Sequence, residues 1–225
     1  KRALLVEALS YIARFAGKRA VVKCGGASLV KDSLKASFAA DINLLDAAGL
    51  LPVVVHGGEP EIVKTLEKFG GARPEYLDGR RVTHEEDLDI VEMVLSGRIN
   101  TELVTLLNHH AMAERGTHVA RAVGMSGKDG GLFRACKLRS DDGRDLGRMG
   151  EIVAVNADLL ELLLGKEYVP VLSPLGLGND GEGYHLNADW VAAEVAIALH
   201  AEKLIYLTDH PGILEHGELI SEMNA

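Results

Sequence analysis

The chain has 225 residues, 47% of them hydrophobic and 25% charged, enough apolar material for one large core or two small ones. Its 24 basic and 33 acidic side chains leave a net charge of −9 with no Lys/Arg block, which speaks against nucleic acid or an anionic membrane surface as the main partner. No apolar run approaches the roughly 18 residues of a membrane span. Cys24 and Cys136 have no CxxC spacing, so neither a disulfide framework nor a zinc site is signalled, and a reduced, cytoplasmic setting is expected.

The elements follow in chain order. Ala3–Ala16 sets Leu5, Leu9, Ile12 and Phe15 at helical spacing, and Leu4, Val6 and Ala8 widen a face too apolar to lie bare. It packs on its own domain or on a second chain. Ala20–Cys24 is a short β-branched run, and Lys31–Ala48 then places Leu34, Phe38, Ile42 and Leu45 on one helix face. A strand over Pro52–His56 leads into a helix opened by Pro60 and running to about Gly70. Glu85–Ala113 reads as one long helix on the repeat Leu88, Val91, Leu95, Ile99, Leu103 and Leu106. Strand His118–Met125 precedes an antiparallel hairpin of Leu132–Leu138 and Met149–Val155 around the turn-rich Ser140–Gly147. Helix Asn156–Leu164, strand Tyr168–Ser173, helix Asn187–His200, strand Lys203–Thr208 and a strand-like Glu218–Ile220 complete the order. Such alternation requires right-handed crossovers and an open, mostly parallel sheet with helices on both faces. There is no repeat, low-complexity tract or Pro/Ser-rich linker, so one α/β domain is expected.

Two strand ends open into glycine pairs, Lys23-Cys24-Gly25-Gly26 and Val55-His56-Gly57-Gly58. In open α/β sheets ligands bind beyond the carboxyl ends of strands, where glycine lets backbone N–H groups approach an anion and the next helix adds its positive end. One such turn is weak evidence; two, one bearing a lysine, carry more. Lys23 alone reads more readily as an edge lysine whose stem covers apolar surface. Three patterns are set aside. Gly176-Leu177-Gly178-Asn179-Asp180-Gly181 matches GxGxxG but is followed by the strand-like Tyr184–Leu186, so it is a hairpin turn. Gly127-Lys128 lacks the remaining P-loop residues, and His109-His110 has no third ligand at metal spacing. Other polar clusters at element ends each have an ordinary reading: Arg81 on the surface, Asn187 as an N-cap, Asp189 as a first-turn acid, Asp209-His210-Pro211-Gly212 as a turn.

Taken in order, VVKCGGAS, VVVHGGEPEI, GRRVT, VGMSGKDGG, DLGRMGEIVAVN, YVPVLSPLG, YHLNAD and KLIYLTDHPGIL resemble the acetylglutamate kinases of the amino-acid kinase family over nearly the whole chain. The resemblance implies ATP-dependent phosphorylation of the side-chain carboxylate of N-acetyl-L-glutamate, in arginine biosynthesis, on an αβα sandwich of the carbamate kinase-like fold. Residues 18-166 would hold the amino-acid substrate, and 167-225 would begin a nucleotide-binding part whose C-terminal end reads as incomplete. By the same resemblance Lys23 is catalytic and Asp189 orients it. Gly25 and Gly26 cradle phosphate, Gly58 offers an N–H to the reacting carboxylate on the turn shaped by Gly57, and Arg81 clamps the α-carboxylate. Asn187 lies in the substrate pocket, and Thr208, Asp209 and Gly212 contact nucleotide. Mg²⁺ would ride on ATP, with no protein metal cage.

Residues 1-17 resemble the helix that joins arginine-inhibited acetylglutamate kinases into hexameric rings, which implies a homo-oligomer with arginine as a feedback inhibitor. Three departures from the family pattern stand out. Glu59 replaces the third glycine after HGG. His185 replaces the first Asn of N-x-N-A-D. The family's second catalytic lysine lies beyond Ala225. Glu59 is expected to point outward along its helix, because an unpaired acid turned inward is costly. His185 could still bond the substrate, with a pKa near 6.5. Two other readings fit the same residues: a carboxylate kinase for another acyl amino acid, and a non-catalytic regulatory or oligomerisation domain as in acetylglutamate synthases.

Overall fold

The computed structural model describes residues 2–29, 31–71, 74–77, 79–113, 121–209, 212, 214–215, 218–220 and 222. Helix α1 (Arg2–Phe15) precedes strand β1 (Arg19–Cys24), helix α2 (Asp32–Ala47), strand β2 (Leu51–His56) and helix α3 (Glu59–Lys68). A small antiparallel pair follows, β3 (Glu75–Leu77) and β4 (Arg80–Val82). The chain then forms α4 (Leu88–Glu92), a π-helical stretch (Met93–Ile99) and α5 (Asn100–Ala113). Next come β5 (Arg121–Ser126), β6 (Phe133–Arg139), β7 (Asp145–Val155), α6 (Ala157–Leu164), β8 (Tyr168–Ser173), β9 (Leu175–Gly178), β10 (Gly183–Leu186), α7 (Ala188–Ala198) and β11 (Lys203–Leu207). A short pair, β12 (Leu214–Glu215) and β13 (Glu218–Leu219), comes last among the described elements.

Five strands form an all-parallel sheet in the order β11-β1-β2-β8-β5. In the three inner strands, β1, β2 and β8, the apolar runs are buried on both faces, as central parallel strands require. Alternate residues serve opposite cores. Val22, Val54 and Val171 pack against Phe38 and Ile42 of α2, Ile62 of α3 and Leu103 of α5. Val21, Val53, Val55 and Leu172 meet Leu160 of α6 and Val191 and Val195 of α7. Strand β1 therefore lies between β2, reached through α2 on one face, and β11, reached through α7 on the other. A reversal of strand order of this kind opens a crevice beyond the strands' carboxyl ends.

Two expectations change. The predicted hairpin over Leu132–Leu138 and Met149–Val155 exists, but β6 and β7 join β9 and β10 in a closed four-stranded barrel, through parallel β6·β9 and β7·β10 pairs. The single helix predicted over Glu85–Ala113 contains the π-helical stretch. Its wider turn lets Leu95, Ile99 and Asn100 all face inward. The segment Gly176–Gly181 does form an antiparallel turn, between β9 and β10. Residues 118–120 of the predicted strand His118–Met125 lie outside the described residues. No described helix is long and apolar enough to cross a membrane.

Candidate active site

The two glycine turns abut one another at the crevice. Gly57 N–H donates to Cys24 O at 2.9 Å, so the turn after β2 rests on the end of β1. A Cβ added at Gly26 would stand 2.7 Å from Pro60 Cδ, 3.1 Å from Glu59 N and 3.3 Å from Gly58 N, so only glycine permits this approach. Gly26 opens a 3₁₀ turn and Gly58 is the N-cap of α3. The first N–H groups of a helix have no intrahelical acceptor, which makes this junction a place for an anion. Gly25 plays a different part, because its N–H is engaged by Leu207 O at 3.1 Å. A Cβ there would come within 3.5 Å of Lys23 Nζ and 3.2 Å of Leu207 O, so what Gly25 contributes is space.

His56 holds the second turn from beneath. It is fully buried, and desolvation lowers its pKa to about 4, leaving it neutral at pH 7. Asn100 Nδ2 donates to its Nε2 at 3.1 Å and to Val171 O at 2.8 Å, so Nδ1 carries the proton and donates to Gly57 O at 3.0 Å. On the opposite side, Gly58 leaves room for Leu95 and Ile99: a Cβ at Gly58 would lie 2.7 Å from Leu95 Cδ2 and 2.5 Å from Ile99 Cδ1.

Lys23, next to last in β1, has its side chain 13% exposed and its Nζ 2.8 Å from Asp189 Oδ1. Asp189 stands in the first turn of α7, which Asn187 caps by accepting from Asp189 N (2.8 Å) and Trp190 N (3.2 Å). The N-cap reading of Asn187 is thus correct. The same residue also lines a cleft of about 200 Å³ with Gly57, Gly58, Glu59, Arg81, His185 and Asp189. Thr208 and Asp209 follow β11, beside Gly25, whereas Gly212 lies against Leu219 at φ +150°.

The sequence pattern of the amino acid kinase family matches residues 18–225. The chain belongs to the amino acid kinase family. It is 44% identical to the acetylglutamate kinase of Nitrosococcus oceani, over 99% of this chain and 75% of that one. Against the acetylglutamate kinase of Aquifex aeolicus the identity is 46%, over 100% and 77%. Among solved structures, the N-acetylglutamate synthase of Neisseria gonorrhoeae, complexed with coenzyme A and L-arginine, matches with a TM-score of 0.77 at 27% identity. It aligns over 95% of this chain, which spans about half (49%) of that protein. The carbamate kinase of Giardia lamblia, at TM-score 0.61 and 14% identity, shares the fold, covering 90% of this chain and 78% of that one.

Within this amino acid kinase cleft three expectations are corrected. Glu59 does not point outward. Its Oε1 accepts from Arg81 Nη1 and, at 2.6 Å, from the Tyr76 hydroxyl. The expectation assumed an unpaired acid; here a guanidinium and a phenol supply the partners, so turning inward is favourable. Arg81 is a buried residue rather than a surface one, its side chain only 5% exposed. His185 is buried too, bonded through Nδ1 to Thr83 Oγ1 at 3.1 Å. Desolvation lowers its pKa from 6.5 to about 4, with Arg81 adding to the effect and Glu59 opposing it, so it stays neutral between pH 6 and pH 8. Sequence reasoning also missed Tyr76, which sits across β3–β4 from Arg81. Arg80 went unassigned as well; it stacks over Trp190 at 5.4 Å and pairs with Asp141 at 3.2 Å. A three-residue strand offers no periodicity from which to read either contact.

Proposed function

We propose that the chain phosphorylates the side-chain carboxylate of N-acetyl-L-glutamate, with ATP as donor, in arginine biosynthesis. The observation that carries this reading is the meeting of two glycine turns beside the Lys23–Asp189 pair, in a chain 44–46% identical to acetylglutamate kinases. A carboxylate with a pKa of about 4.3 is already ionised at pH 7 and needs no general base. The obstacle is the meeting of two anions, so catalysis rests on alignment and on positive charge placed where charge accumulates.

In this scheme a carboxylate oxygen attacks the γ-phosphorus of ATP, the bond to the β-phosphate oxygen breaks, and ADP leaves with that electron pair. Lys23 stabilises the charge on the transferring group, and Asp189 holds the ammonium in place. The N–H groups of Gly26 and Gly58 serve phosphate and reacting carboxylate, on turns shaped by Gly25 and Gly57. Arg81 binds the α-carboxylate, Asn187 and His185 line the substrate pocket, and Thr208, Asp209 and Gly212 lie toward the nucleotide. Mg²⁺ would travel on the ATP phosphates and lower their charge repulsion.

The finer reading extends to assembly: an arginine-sensitive, cytoplasmic homo-oligomer, hexameric through α1. Its support is that α1 forms and leaves Val6, Leu9 and Ile12 between 41% and 60% exposed. Light scattering on a chain starting at Gly17 tests it, and an unchanged mass rejects it. Identity of 44–46% to kinases, against 27% to the synthase, favours an enzyme over a regulatory domain. The activity test traps the acyl phosphate with hydroxylamine: hydroxamate should accumulate with N-acetyl-L-glutamate and ATP, and its absence would reject the assignment.

A further inference from the structure

We propose that Glu59 is a specificity-determining residue, an internal carboxylate seated on Arg81 that the α-carboxylate of an incoming substrate must displace. The inference deepens the kinase reading and rests on its placement of Arg81. Four observations carry it. Glu59 Oε1 already occupies Arg81 Nη1, the kind of contact a substrate carboxylate would make, and the Tyr76 hydroxyl steadies it there at 2.6 Å. Arg81, with a side chain 5% exposed, has nowhere else to go, whereas the Glu59 side chain is 39% exposed and can turn into water. Arg81 Nε is buried with no hydrogen-bond partner among the described residues, so Glu59 satisfies the guanidinium only in part. A planar fork of five donors, one of them left idle, suits a second, bidentate acceptor better than the single oxygen it now holds. Finally, Glu59 directly follows Gly58 at the start of α3, so its backbone is fixed and release needs only side-chain rotation.

Displacement has a consequence for selectivity. A ligand with an α-carboxylate must evict Glu59, or share Arg81 with it at a repulsive cost. A ligand bearing only the side-chain carboxylate, reaching Gly58 alone, meets no such competition. The wild-type cleft is therefore less selective for the α-carboxylate than Arg81 alone would make it. Removing the charge of Glu59 should restore selectivity by about tenfold, which is about 1.4 kcal/mol.

The test is calorimetric binding of N-acetyl-L-glutamate and of 4-acetamidobutyrate, its analogue without the α-carboxylate, to the wild-type chain, Glu59→Gln and Tyr76→Phe. Glu59→Gln keeps size and an acceptor oxygen. Tyr76→Phe removes the hydroxyl that steadies Glu59 while keeping both the Glu59 and Arg81 charges, so the question stays answerable if one variant folds poorly. The expected result is a Kd for N-acetyl-L-glutamate about tenfold lower in Glu59→Gln and lowered less in Tyr76→Phe, with the analogue unchanged. Equal tightening for both ligands, or weaker binding of N-acetyl-L-glutamate, would overturn the role of Glu59 while leaving the kinase reading standing. If neither ligand binds any of the three chains, both fall. Selective tightening without hydroxamate formation would uphold the gate and reject the kinase.

Discussion

Acidification from pH 7.5 to pH 5 should remove about 4 kcal/mol of folding stability through His56 and His185 alone. In the unfolded chain both titrate near 6.5, whereas burial holds them at about 4 in the folded protein. The unfolded state then binds more protons throughout that window, so stability is complete above about pH 6.5 and falls as the pH drops toward 4. At pH 5 each ring has lost about 2 kcal/mol, and near pH 4 about 3. Asp142, Asp145 and Asp180 also have lowered pKa values, through contacts with Arg144, Lys137 and Tyr184 respectively, but their window begins only near pH 4 and extends below it. The two effects therefore separate on the pH axis. Urea titrations at pH 7.5, 6.5 and 5, followed by circular dichroism and by the single tryptophan, Trp190, would measure the loss. His56→Gln and His185→Gln cannot titrate, so each should lose about half as much between pH 7.5 and pH 5 as the wild type. If both lose as much as the wild type, buried histidine is not the source and the burial argument is wrong.

Three further outcomes follow from the packing. Gly58→Ala should cost about 1–3 kcal/mol, because the new methyl drives into Leu95 and Ile99, and thermal unfolding would record it. Asn187→Ala removes the α7 cap and should cost about 1 kcal/mol in a urea titration, besides any effect on substrate binding. Under native conditions a thiol reagent should label exposed Cys136 and spare Cys24, which is buried and whose thiol is pushed up to about 12, while both react after unfolding.

Legibility in the sequence followed the range of the contacts. The β-branched runs of β1, β2 and β8 announce a buried parallel sheet, since burial on both faces leaves a composition visible within six residues. The glycine pairs marked the crevice for the same reason: close backbone approach admits no side chain. Closure of the barrel was not visible, because the β6·β9 and β7·β10 pairs join segments some 35–45 residues apart without a shared local signal. The π-helical stretch was hidden too, as Leu88, Val91, Leu95 and Ile99 suit an α-helix equally well. Glu59 misled most. A local helix rule turned it outward, while its partners Tyr76 and Arg81 stand 17 and 22 residues away. His185 was misjudged because a four-residue strand gives no measure of how deeply one ring is buried.

In the proposed reaction the Lys23 ammonium, held by Asp189, stabilises charge during transfer rather than binding the amino-acid substrate. Single-turnover rates and N-acetyl-L-glutamate binding should therefore be measured side by side for the wild-type chain and Lys23→Ala. The rate of Lys23→Ala should be lower by about three orders of magnitude with a Kd changed less than about threefold. An unchanged rate, or a loss of binding that accounts for the whole loss of rate, would contradict that role.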